Sequence, residues 1–244
     1  MRLKKQIENL NYEETKRFFE RRADKYNSAC PYSVTMYQDD KPELVKKRNQ
    51  EETKILYPKL HISESSKILD LACGIGRWAD ALEIDVAEYC GVDFSQSLIN
   101  LAKERNQKTY AEFFCGSLAD ISNVLKEHHK GKYNVILMLG ILIYLNDSDL
   151  QSVLSQVENA CEKNTVICIR EPIAFQERLT LKNFYSDELK DEYNAIYRTK
   201  EEVKEFLYKV LIDKGFSVTE EGFLFPRELN NRKETSQYYF ILER

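Results

Sequence analysis

No Cys-x-x-C pair occurs in this sequence, although it holds six cysteines: Cys30, Cys73, Cys90, Cys115, Cys161 and Cys168. Their scatter argues against a disulfide framework and against a zinc site, both of which need characteristic spacing. Several fall in apolar runs, where a free thiol acts as a small hydrophobic side chain. Histidine is scarce too. His61, His128 and His129 form no ligand pattern, and the last two lie in the polar stretch KEHHKGKY, an expected exposed loop. No metal is therefore expected. Positive charge is not in excess: 36 Lys and Arg face 40 Asp and Glu, for a net charge of -4. That balance disfavours nucleic acid as the main partner. The most apolar run, VILMLGILIYL at 135–145, is too short to cross a bilayer and reads as a buried strand with its exit. The opening MRLKKQIENLNYEETKRFF is charged and lacks an apolar central region, so a signal peptide is not expected and the chain is read as cytoplasmic.

With 244 residues, 43% of them hydrophobic, the chain can build one large α/β domain with an appendage. Residues 11–24 carry a helical apolar pattern, 25–41 mix proline, tyrosine and acids irregularly, and 42–57 read as a second helix. Residues 1–60 are thus expected to form a helical lid on a domain spanning 61–244. Within that domain apolar strands alternate with helices: SKILDLA, a helix at 76–82, EYCGVD, SQSLINLAKERN with Ser95 as N-cap, YAEFFCG, YNVILMLG, DSDLQSVLSQVENACE and TVICIRE. This order predicts a parallel sheet covered on both faces. The pattern breaks at an insertion near 171–198. A helix then ends at Gly215, and FSVTEEGFLF and ETSQYYFILER read as an antiparallel strand pair.

The chemistry centres on KILDLACGIGRW at 67–78. In strand–turn–helix units ligands bind beyond the carboxyl ends of the strands, and glycines let the backbone approach them. Gly74, Gly76 and Ala79 match a G-x-G-x-x-A dinucleotide pattern, and Asp93 ends the next strand where an acid would hold ribose hydroxyls. A nicotinamide cofactor is one reading. Asp70, just before the turn, points instead to a positively charged ligand. Each position also has a plain structural use: Asp93 as a helix cap, Asp70 as a pin for the turn, Trp78 as helix packing.

DLACGIGRWA resembles the glycine loop of class I S-adenosylmethionine-dependent methyltransferases, with Ala72 in place of the first glycine. GVDFS, GSLAD at 116–120 and LMLGILIYLND resemble that family's later segments, and the resemblance covers 65–170 well. It implies a Rossmann-like α/β fold with a seven-stranded, mostly parallel sheet and a terminal antiparallel pair. It also implies S-adenosylmethionine as cofactor, with S-adenosylhomocysteine as product. The cofactor residues it implies are Asp70, Ala72, Cys73, Gly74, Gly76, Asp93, Phe94, Ser117, Leu118 and Leu139. At an ordinary negative φ Ala72 would cost little and would stiffen the loop, so binding is expected to survive.

The acceptor should meet the two irregular regions. Candidates are Tyr26, Tyr37, Arg170, Glu171, Arg178, Tyr197 and Arg198, with Tyr32, Gln38, Asp39, Tyr185 and Tyr193 nearby in sequence. The arginines suit an anionic, phosphate-bearing small molecule, nucleotide- or sugar-linked. REPIAFQERLTL and YNAIYRTKEE resemble bacterial methyltransferases of surface-glycan pathways, including those acting on capsular phosphoramidate groups. No N-P-P-Y or D-P-P-Y follows the fourth strand, which disfavours nucleic-acid methylation, and no Tyr-x-x-x-Lys stands where a hydride-transfer enzyme would need it. An NAD(P)-dependent oxidoreductase and a non-catalytic S-adenosylmethionine-binding partner remain as alternatives.

Overall fold

Apolar runs without alternation suit strands buried on both faces, and that is where these fall. The computed structural model describes residues 1–230 and 232–244. It begins with a short strand β1 (Arg2–Lys4), then helices α1 (Tyr12–Ala23), α2 (Ser33–Met36) and α3 (Pro42–Leu56). There follow β2 (Lys67–Leu71), α4 (Arg77–Asp80), β3 (Glu88–Asp93), α5 (Gln96–Arg105), β4 (Ala111–Cys115), α6 (Ile121–Glu127) and β5 (Tyr133–Leu139). The second half holds α7 (Asp147–Asn159), β6 (Cys161–Ala174), β7 (Leu179–Ser186), β8 (Asp191–Tyr197), α8 (Lys200–Val210), β9 (Ser217–Phe223) and β10 (Thr235–Glu243).

Seven strands form the main sheet in the order β4-β3-β2-β5-β6-β10-β9. The first five are parallel, and β10 runs antiparallel to both neighbours, as the closing sequence predicts. The order reverses between β2 and β5, which makes the carboxyl edge there the natural ligand crevice. Strand parity sorts the core into two faces. Leu69, Leu71, Ile136, Met138, Ile167 and Ile169 pack on one side with α7 and α8 residues. Ile68, Val135, Leu137 and Cys168 pack on the other with Leu56, Leu60 and Trp78. Asp70 and Arg170, each two residues past a member of the second set, share that second face.

Two expectations change. The helix after the glycine turn is four residues rather than the whole of 76–82. The insertion is ordered: β7 and β8 form an antiparallel pair, and β1 adds to it with Arg2 opposite Leu181, giving a three-stranded sheet. The N-terminal segment is therefore helical with a strand in front. α1 lies between this sheet and α5. Arg21 makes a bidentate pair with Asp191 at 2.9 and 2.8 Å, and Glu20 accepts from the Gln96 and Ser97 amides at 2.9 and 3.2 Å. Among the described residues no helix is long and apolar enough to cross a membrane.

The stretch between β5 and α7 is pinned by charges that the sequence reading assigns to an acceptor. Arg198, 2% exposed, donates to the carbonyls of Leu142 and Leu145 at 2.7 and 2.6 Å and to Asp147 at 2.6 and 2.9 Å. Arg178 meets the same carboxylate through two bonds of 2.7 Å. Burial pushes the Asp147 carboxyl up, but the two guanidiniums outweigh it and hold the group below the usual range. One carboxylate thus compensates two nearly buried cations; among the described residues, removing it leaves Arg198 with carbonyl acceptors alone and Arg178 with only the 3.3 Å contact to Glu202. Asp147→Asn should lower unfolding stability by about 3 kcal/mol in denaturant titrations at pH 7; a midpoint within error of the parent would contradict this role.

Candidate active site

The glycine turn leaves β2 through three left-handed residues, Ala72 (φ 61), Gly74 (φ 57) and Gly76 (φ 76). The condition under which Ala72 would be free of cost is therefore not met. The amides of Ala72 and Cys73 both donate to Val92 O, at 2.8 and 3.1 Å, and hold the turn against β3. Asp93 completes this fastening: Oδ2 accepts from Gly74 N and Oδ1 from Ser95 N, both at 2.9 Å. Burial raises its carboxyl to about 6. In this geometry Asp93 pins the turn to the start of α5.

A cavity of about 170 Å³ opens beside this turn, at the carboxyl edge of the sheet. It brings together Asp70, Ala72, Cys73 and Leu139 from the cofactor candidates with Tyr37, Arg170 and Tyr197 from the acceptor candidates. Asp70 is 3% exposed, and it accepts a hydrogen bond from the Tyr89 hydroxyl. Burial pushes its carboxyl up to about 7, so a cation brought beside it would be stabilised. That is the clearest fit to a sulfonium cofactor. Gly74, Gly76, Asp93, Phe94, Ser117 and Leu118 lie outside the cavity. Phe94 packs edge-on against Phe19 of α1 at 5.6 Å, and Ser117 caps a short turn through Ala119 N at 3.2 Å.

Glu171 follows Arg170 directly but points to the opposite face, because neighbours in a strand alternate. It is 1% exposed and accepts from the amides of Ile141, Leu142 and Ile143 at 2.7, 2.8 and 3.3 Å. Burial raises it to about 7. It shapes the exit of β5 and does not line the cavity. Tyr26 is also outside, accepting from Arg105 at 3.0 Å, and Arg178 and Arg198 are committed to Asp147. Tyr32 bonds Asp80 at 3.0 Å, Asp39 pairs with Arg22 at 2.6 Å, and Tyr185 is exposed.

Arg170 does line the cavity. Its guanidinium pairs with Glu52 at 3.2 Å and donates to Gln237 at 3.3 Å. Its Nη1 lies 2.8 Å from where a Cβ on Gly140 would stand, so the arginine needs glycine there. Glu52 also takes Arg77 at 2.5 Å and the Trp78 indole at 3.1 Å, and Arg77 donates to Asn49 at 2.9 Å. Sequence reasoning misses Glu52, yet a signal exists. Val45, Asn49, Glu52 and Leu56 follow a 4-3-4 spacing, so two polar residues sit in the buried stripe of α3.

Tyrosine hydroxyls complete the wall. Tyr37 OH lies 2.5 Å from Tyr144 OH, which lies 2.8 Å from Tyr193 OH. Tyr37 adopts φ 61 at the end of α2, where it meets Tyr144 and Tyr193. Burial raises the phenols of Tyr37, Tyr144 and Tyr193 well above their ordinary value. They are donors at any working pH rather than bases.

The left-handed Ala72 carries strain that glycine relieves. Allowing for the backbone entropy that glycine adds, Ala72→Gly should stabilise the fold by roughly 1 kcal/mol and raise Tm by about 3 °C. Calorimetric melting checks this, and a lower Tm would mean that the alanine methyl packs favourably.

Residues 68–164, from β2 into the start of β6, match the family model described as a methyltransferase domain. No curated protein matches the chain. Among solved structures it is similar in fold to the DhpI–SAM–HEP complex, at 14% identity over 96% of this chain and 97% of that one, TM-score 0.63. It is also similar to magnesium protoporphyrin IX methyltransferase from Synechocystis PCC 6803 with bound SAM (14% identity, 96% and 93% covered, TM-score 0.59). A third is Haemonchus contortus phosphoethanolamine N-methyltransferase 1 in complex with phosphoethanolamine and S-adenosylhomocysteine (16% identity, 96% and 50% covered, TM-score 0.66). The chain thus contains a methyltransferase domain, set in a sheet of class I methyltransferase topology, and that match speaks against the hydride-transfer reading.

Proposed function

We propose that this enzyme methylates an oxygen of a small anionic molecule, one bearing a phosphate or phosphoramidate group, in bacterial surface-glycan or capsule building. The observation that carries the anionic acceptor is the cavity itself, where Asp70 and the glycine turn share one space with Arg170 and the tyrosine hydroxyls. The phosphate-bearing molecule in the Haemonchus contortus structure is in keeping with this reading. The surface-glycan setting rests on the likeness of REPIAFQERLTL and YNAIYRTKEE. Residues 1–60 are proposed as the lid of the 61–244 domain.

When bound, S-adenosylmethionine supplies an electrophilic methyl on a sulfonium, displaced in line without acid assistance. Asp70, Ala72, Cys73 and Leu139 would face its charged end, with Gly74 and Gly76 behind. Asp93, Phe94, Ser117 and Leu118 would hold the adenosine. Arg170 attracts the acceptor, and the tyrosine hydroxyls donate to its oxygens and set their angle. An oxygen that arrives already ionised needs no protein base, which suits a wall whose phenols stay protonated. The lid excludes water from the reacting atoms. Incubating the purified chain with methyl-labelled cofactor and phosphate monoesters should give labelled methyl esters. Transfer to neutral alcohols alone would sink the acceptor proposal.

The Asp70 carboxyl, with a folded value near 7, is mostly neutral at pH 6 and mostly charged at pH 8. Affinity for the cationic cofactor should therefore rise about tenfold across that window in calorimetric titrations, and Asp70→Asn should flatten the profile. The sign for the cofactor-free fold is opposite. A carboxyl raised above its unfolded value contributes stability that is lost as pH climbs from about 4 through 7. Arg170→Gln should raise the acceptor KM about tenfold or more while leaving the cofactor KM within about twofold; equal effects on both would assign Arg170 to the turn instead.

A further inference from the structure

The same cavity is lined by two further arginines, Arg48 of α3 and Arg232 of the β9–β10 connection. Arg48 precedes Glu52 by four residues, so it lies on the same helix face about 6 Å further along. Two donor bonds to Leu229 O, 2.9 and 2.5 Å, and the Phe225 ring at 5.7 Å fix the plane of its guanidinium. Arg232 approaches from the other chain segment and pairs with Glu188, whose carboxylate also accepts from Gln38. Burial first and then the charge of Arg232 hold the Arg48 guanidinium below the ordinary arginine range, with the Glu188 carboxylate acting in the opposite sense. Thr235 and Ser236, both largely buried, line the same cavity.

Among the described residues one carboxylate, Glu188, answers two guanidiniums here, and the positive charge left over favours a further anion beside them. Planar forks from two directions, with hydroxyls beside them, are the donor set that a phosphoryl group's oxygens accept. We propose that Arg48 and Arg232 form a second anion subsite, set apart from Arg170, which takes a phosphoryl group carried by the acceptor. The acceptor then presents two charged ends: one at Arg170 and the tyrosines, where the methyl goes, and one at the Arg48–Arg232 wall, where the molecule is recognised. This rests on the proposed anionic acceptor and specifies it as a phosphoryl-linked molecule.

The test uses the full-length chain, titrated calorimetrically with inorganic pyrophosphate in the presence of S-adenosylhomocysteine at fixed ionic strength. Wild type should bind pyrophosphate. Arg232→Gln and Arg48→Gln should each weaken it about tenfold, the loss expected for one charge-assisted contact, with S-adenosylhomocysteine affinity unchanged. The Arg232 side chain is 54% exposed, so its replacement does not endanger the fold. Unchanged pyrophosphate affinity in both variants, or none in wild type, overturns the subsite. So does loss confined to Arg170→Gln. Failure of S-adenosylhomocysteine to bind is a separate result: it removes the cofactor reading, while pyrophosphate binding by the same chain still decides the subsite.

Discussion

The buried carboxylate of Glu52 is the tie on which the site depends. A charge 1% exposed inside a helix stripe is tolerated only with close compensation, and here Arg77, Arg170 and the Trp78 indole all converge on it. They come from two pieces of chain: Arg77 and Trp78 from the helix after the glycine turn, and Arg170 from the far half of β6. Docking α3 therefore sets the glycine turn and Arg170 in one register. Burial pushes the Glu52 carboxyl up, but the arginines outweigh it and keep it ionised. This is a helix from outside the family-matched segment, and it positions residues inside it.

Much of the main sheet is legible in the sequence because parallel strands buried on both faces leave unbroken apolar runs. SKILDLA, EYCGVD and TVICIRE lie where the structure has β2, β3 and the middle of β6. The closing antiparallel pair is legible for a different reason, as two strand-like runs joined by a polar connection. The insertion is not, since β7 and β8 mix exposed and buried positions and draw their third strand from Arg2–Lys4. Local periodicity holds no trace of a partner that distant.

The site was legible in its turn and less so in its arginines. Asp70, Ala72 and Cys73 are implied by the resemblance of DLACGIGRWA, and all three line the cavity. Arg170, Arg178 and Arg198 look alike as residue types in a charged stretch, and only strand parity and the position of Asp147 separate them. Arg170 faces the cavity, and its neighbour Glu171 faces the other core. Arg178 and Arg198 spend their charge on Asp147. The division of labour among tyrosines is likewise a tertiary fact: Tyr37, Tyr193 and Tyr197 share a wall, and Tyr185 faces solvent.

The pairing of Arg2 with Leu181 also has a consequence for biosynthesis. A ribosome releases β1 long before β7 and β8, so the small sheet has no complete form until about four-fifths of the chain is made. The parallel core through β5 can gather while α1 still lacks its anchor at Asp191. β9 and β10 emerge later still, so the main sheet is closed by the last strand made, after the small sheet already has all three of its strands.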